Sequence, residues 1–272
     1  MAKYKKKRAR ELKHDKFRDT TMNYVDRAAH KLEGKGRTIL YAIAALILIG
    51  LAAWGVMAWR GKKTDEASLA LGHAIKTMQA PVMATPIPGS TEQSFRTEKE
   101  RAQKALEEFQ KVAASYGGPT GEMARYFAAT NQLVLDREKG MAGLDALTKS
   151  SNQDVAALSK FALAQAKEAA GKFDDAAALY SDLAKQNSTI ITPDTANLSL
   201  ALVYEKMPNK KQEATDLLFN IIENSRKAKD KNGKPLPESA ASRKAADELE
   251  KLDPARFAQL SPPPLPENFA VQ

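Results

Sequence analysis

The sequence predicts an all-α chain, an N-terminal transmembrane helix followed by an α-solenoid of helix hairpins, and three observations carry that expectation. Residues Thr38 to Trp59 form an unbroken run of 22 uncharged, mostly apolar positions. Beyond it, apolar residues recur at three- and four-residue spacing with few β-branched clusters, the periodicity of helices rather than strands. Glycine- and proline-containing breaks then cut the periodic stretch into segments joined by short connections, as antiparallel helix pairs require.

The apolar run is bracketed by Arg37 and Arg60. At ~1.5 Å rise per residue it reaches ~33 Å, slightly more than the ~30 Å hydrocarbon core of a bilayer. Tyr41, Trp54 and Trp59 stand toward its ends, where amphipathic rings favour the interface, so Arg37, Tyr41, Trp54, Trp59 and Arg60 are the expected membrane-interface anchors. A cleaved signal peptide is the competing reading, with Val56 and Ala58 offering a cleavage site. The run is longer than a signal h-region and its basic leader unusually extended, which favours an uncleaved anchor.

Charge orients the span. The formal net charge is +9, yet residues 1–37 hold 13 Lys/Arg against 5 Asp/Glu, while everything after Arg60 holds 28 of each sign. Basic flanks stay in the cytoplasm. The tail 1–37 is therefore expected inside, and the larger part across the membrane, as a single-pass protein of the bacterial inner membrane with a periplasmic domain. Anionic lipid would attract the tail at ~1 kcal/mol per basic residue near the surface. An arm on ribosomal RNA is the sharper alternative, favoured by charge but lacking interleaved aromatics. The chain has no cysteine, so neither a disulfide framework nor a thiol nucleophile is available.

Past the span, helices are expected over residues 64–79, 93–115, 121–138, 141–149, 154–170, 173–186, 195–206, 211–227 and 238–251. The breakers between them are Pro81, Pro86, Pro88 and Gly89, then Gly117, Gly118 and Pro119, then Gly140, Gly171, Pro193, Pro208 and the KNGKPLP segment. A helix over 238–251 with Ala241, Ala245, Leu249 and Leu252 on one side would close the open end of the stack. SPPPLPENF after it reads as a disordered end, with a polyproline ligand for an aromatic groove as the alternative.

The hairpins repeat. In FALAQAKEAAGKFDDAAALYSDLA, Leu163 and Ala164 form a large-small pair on a first helix, Gly171 permits a tight turn, Phe173 closes it, and Ala176 and Tyr180 face back from a second helix. Leu200, Ala201 and Tyr204, then Ala214, Leu218 and Ile221, follow 37 or 38 residues later. Ala105, Phe109 and Val112 show the same second-helix spacing, with Leu71, Gly72 and Ile75 as partner, whereas residues 121–149 match only weakly. Small residues where helices approach and a ring one turn later, at a period near 34, are the tetratricopeptide arrangement. The expected organisation is a basic cytoplasmic tail over 1–37, a transmembrane helix over 38–59, a tetratricopeptide-like periplasmic domain over 60–226, and a linker, capping helix and Pro-rich tail over 227–272.

The span ending WGVMAWRGKKTDEASLALGHAI, the segment ALEEFQKVAASYGGPTGEMARYFAA and the Phe161–Ala184 unit together resemble the ancillary SecYEG translocon subunit family, the YfgM-like proteins, over residues 38–226. The resemblance implies an inner-membrane protein associated with the translocon and with a membrane-anchored periplasmic chaperone, helping exported chains leave the channel. The tail here is longer and more basic than that pattern, and residues 227–272 are additional to it.

Catalytic chemistry is not expected, nor any cofactor, metal or small-molecule substrate. His14 and His30 lie in the tail and His73 stands alone on a helix, so no metal triad can be assembled. Glu107 and Glu108, like Asp174 and Asp175, point in different directions on a helix and read as solvated charge. The expected function is a membrane-anchored protein-binding scaffold or chaperone-like accessory of the protein-export translocon. Its partners would be translocon subunits, a periplasmic chaperone or exported chains. A structural organiser subunit of another bacterial envelope complex is the alternative.

Overall fold

The computed structural model describes residues 63–83, 93–186 and 188–263. The chain divides between Lys63 and Thr64, and the unit from Thr64 onward holds all of the described residues but Lys63. The expected tail over 1–37, the span over 38–59 with its anchors Arg37, Tyr41, Trp54, Trp59 and Arg60, and the end of the chain from Pro264 lie outside the described residues. Among the described residues, no helix is long and apolar enough to cross a membrane.

The described part is all-helical. Helix α1 covers residues 63–78. It is followed by α2 (Glu98–Ser115), α3 (Gly118–Leu135), α4 (Arg137–Leu147), α5 (Gln153–Ala169), α6 (Phe173–Ala184), α7 (Pro193–Glu205), α8 (Lys211–Lys227), α9 (Ala240–Leu252) and the single turn α10 (Pro254–Phe257). Extended pairing is limited, among the described residues, to two isolated bridges. Val82 pairs with Phe95 between α1 and α2, and Lys229 with Pro235 between α8 and α9.

Helix starts are written in short polar side chains that accept the free N–H groups of a first turn. Thr97 takes the Glu100 N–H at 3.1 Å, Asp136 the Lys139 N–H at 3.1 Å, and Asn152 the Asp154 and Val155 N–H groups at 3.1 and 3.3 Å. Thr192, Ser239 and Asp253 do the same for α7, α9 and α10. The α5–α6 turn depends on Gly171 at φ +74°. Its N–H and that of Lys172 donate back to the carbonyls of Glu168 and Lys167, both at 2.9 Å, the paired closure that a left-handed residue permits. Asn209, at φ +65°, supplies the left-handed residue before α8.

Several expected breakers are not breaks. Pro119 and Pro193 sit in the first turns of α3 and α7, where the missing N–H has no intrahelical partner to lose. These helices therefore start earlier than expected, at Gly118 and Pro193 rather than 121 and 195. Gly140 lies inside α4, which begins at Arg137 because Asp136 caps it. Residues 93–97 precede α2 instead of belonging to it, since Phe95 exchanges hydrogen bonds with the Pro81 carbonyl at 3.0 Å and the Met83 N–H at 2.8 Å. Helix α10 was not expected at all.

Each helix packs mainly on its neighbours in the chain, and first helices also meet across pairs, α3 on α5 and α7 on α9. The apolar interior accordingly comes as four clusters in succession. Ala74, Ala105, Phe109, Val112 and Ala124 join α1, α2 and α3. Ala129, Met141, Leu144, Ala162, Leu163 and Ala166 join α3, α4 and α5. Ala164, Ala176, Tyr180, Leu183, Ala196 and Leu200 fall in the α5–α7 cluster. Leu198, Ala201, Leu218, Ile221, Ile222, Ala245 and Leu249 join α7, α8 and α9. A core that passes from one short run of consecutive helices to the next is the organisation of stacked helical repeats.

Candidate functional site

The residues singled out as repeat-packing positions lie along the seams of this stack. Leu163, Ala164, Ala176, Tyr180, Leu200, Ala201, Ala214 and Leu218 are buried. Phe173 and Tyr204 are partly buried against the α5–α7 core, and Gly171 occupies the turn. The second helices share one register. Ala105, Gly140, Ala176 and Ala214 follow one another at 35, 36 and 38 residues, and the position four residues later is Phe109, Leu144, Tyr180 or Leu218, all fully buried. Residues 121–149, which match the repeat weakly by sequence, thus form a unit of the same kind with glycine in the small position. First helices keep a register too: Ala129, Ala164 and Ala201 at 35 and 37 residues.

Polar ties accompany the apolar ones. The buried Tyr180 hydroxyl donates to Glu168 on α5 at 3.3 Å, and Lys206 at the end of α7 donates to the same carboxylate at 2.7 Å. Burial first, and the Glu168 charge second, push the Tyr180 phenol above its ordinary range. Three helices are therefore joined through one acceptor. His73 is exposed, with Nδ1 3.2 Å from Glu108, whose carboxylate also takes the buried Thr77 hydroxyl at 2.8 Å. Asp175 pairs with Lys167 at 2.6 Å, and that hydrogen bond holds its carboxyl below the usual range. Among the described residues, no group of three His, Cys, Asp or Glu side chains could hold a metal ion.

A feature with binding character among the described residues is a slot of about 560 Å³, open to solvent, between α2 and α4 with α3 as its floor. Leu106 and Ala114 form one wall, Gly143 and Leu147 the other, and Ala128 and Ala129 the base. Arg125 and Lys139 stand at its rim, and no carboxylate belongs to its lining. Its size falls in the range of ligand pockets, ~300–1,000 Å³. None of these residues was among the expected positions. The available signal was the run of small residues on α2, α3 and α4, which also reads as ordinary helix contact. No family model, characterised protein or solved structure matches this chain.

Proposed function

We propose that the chain is a membrane-anchored protein-binding scaffold, or chaperone-like accessory, of the protein-export translocon, with its helical-repeat part in the periplasm. The observation that carries the binding role is the succession of four cores along the chain. Stacked helix pairs leave an extended surface for another polypeptide and need no cofactor to use it. The 22-residue apolar run and its basic flank support the anchored placement, and the resemblance to the YfgM-like proteins supports the translocon as the site of action.

Photocrosslinkers at the exposed positions Gln165 on α5 and Ala178 on α6, in intact membranes, test this reading. Adducts with exported chains or translocon subunits are expected. A single stoichiometric adduct with a fixed envelope subunit would instead favour the organiser role. A reporter placed after Gln272 and found in the cytosol would overturn the periplasmic placement.

A further inference from the structure

Successive cores are bridged at one position of each second helix, and the bridge is missing once. Leu179 of α6 packs against both the α3–α5 core and the α5–α7 core, and Leu217 of α8 against both the α5–α7 core and the α7–α9 core. Each stands three residues beyond the small residue of its helix, Ala176 or Ala214. The same step from Gly140 in α4 reaches Gly143. The first two cores share no residue among those described, and the slot opens at that seam.

We propose that this slot docks an acidic, amphipathic helical segment of a partner polypeptide, an inference that rests on the polypeptide-binding reading above. Two features set the occupant. The α2 wall from Leu106 to Ala114 runs ~12 Å, about two turns, which suits the i, i+4, i+7 anchors of a helix laid in a groove. Ala114 and Ala128 leave the slot clear of bulky side chains, while Gly143 and Ala129 are already close-packed on each other, a Cβ on Gly143 lying 3.1 Å from that of Ala129. The apolar base takes aliphatic anchors. The rim then selects charge: Arg125 is exposed and in no ion pair among the described residues, and Lys139 is 75% exposed while touching Asp136 at 3.1 Å. Carboxylates flanking the apolar stripe of the guest would meet both cations, whereas Lys or Arg there would be repelled.

The test uses the full chain in detergent and two fluorescein-labelled two-heptad peptides, identical in their Leu stripe but flanked by Glu in one and Lys in the other. The Glu peptide is expected to bind. Filling the slot by Ala114→Phe, or by Gly143→Leu to restore the bridge of the other seams, is expected to weaken it about tenfold, near 1.4 kcal/mol. Ala114 is exposed, so the first substitution leaves the fold in place even if the second does not. Arg125→Glu is expected to shift preference toward the Lys peptide. Equal binding of the two peptides, or undiminished binding by Ala114→Phe, overturns the proposal. So does a dimer of the chain that Ala114→Phe dissociates without any peptide binding. Exported-chain adducts at Gln165 or Ala178 together with no Glu-peptide binding overturn this slot alone, while loss of both overturns the polypeptide-binding reading as well.

Discussion

A Cβ on Gly140 would lie 2.5 Å from the Leu133 backbone nitrogen and 2.7 Å from its Cα. Helix propensity favours alanine there by ~1 kcal/mol, but the clash is with backbone, which cannot move aside without separating α3 from α4. Gly140→Ala is therefore expected to destabilise by about 1–3 kcal/mol, the usual cost of overpacking, read as a lower urea midpoint; an unchanged or raised midpoint would refute the close approach. Ser159 presents the opposite case. Its hydroxyl is fully buried with no hydrogen-bond partner, one repeat before the buried Ala196. Ser159→Ala removes an unpaired polar group without opening a cavity, and should raise stability by about 1 kcal/mol in the same assay. The small position of the second helices shows where sequence reading succeeds and stops. Ala105, Ala176 and Ala214 could be recognised because each precedes a large apolar residue by one turn in a helical stretch. Gly140 could not, because a glycine signals a break and a close approach with the same letter, and only the Asp136 cap places it inside α4.

The last turn of α8 shows how an element can hold segments far along the chain. The Arg226 guanidinium donates to Glu238 at 2.7 Å and also to the Ser261 carbonyl. Glu223, buried beside it, accepts from the Ser261 N–H at 2.7 Å and lies 2.7 Å from the Lys227 ammonium. The Lys227 hydrogen bond, then that of the Ser261 backbone, hold the Glu223 carboxyl down at about 2. A carboxyl whose pKa is depressed by folding contributes stability that is complete above its unfolded value, about 4.3, and is lost as pH falls through the folded value. Wild type should accordingly exceed Glu223→Gln in urea midpoint at neutral pH. The difference should shrink between about pH 4.3 and pH 2; a difference independent of pH would remove Glu223 from the clamp. This clamp ties Glu238, at the end of the connection from α8 to α9, and Ser261, beyond α10, to α8. The helix over 238–251 was readable from its apolar stripe, and Ala245 and Leu249 are indeed fully buried. The clamp was not, since its partners lie 12, 35 and 38 residues apart and nothing in the local pattern pairs them.

At the scale of the molecule, the arrangement of the cores sets how a perturbation spreads. Leu179 and Leu217 join later cores, while the α1–α3 core shares no described residue with the next one and faces the slot. Stability in such a stack is close to a sum of repeat and nearest-neighbour contributions, so damage at one end should reach the other weakly, and most weakly across the unbridged seam. The repeats were readable because their periodicity is local; the seam was not, because it depends on which side chain three residues beyond a small one reaches two cores. Leu249→Ala tests the consequence. Leu249 is fully buried in the last core against α7 and α8, and its truncation should cost about 2–5 kcal/mol through lost burial and a residual cavity. Hydrogen exchange should then show faster opening of amides in α8 and α9, a smaller change in α6 and α7, and protection in α2 and α3 unaltered. Equal loss of protection from α2 to α9 would mean that the four cores unfold as one cooperative body, and the open seam would have no energetic meaning.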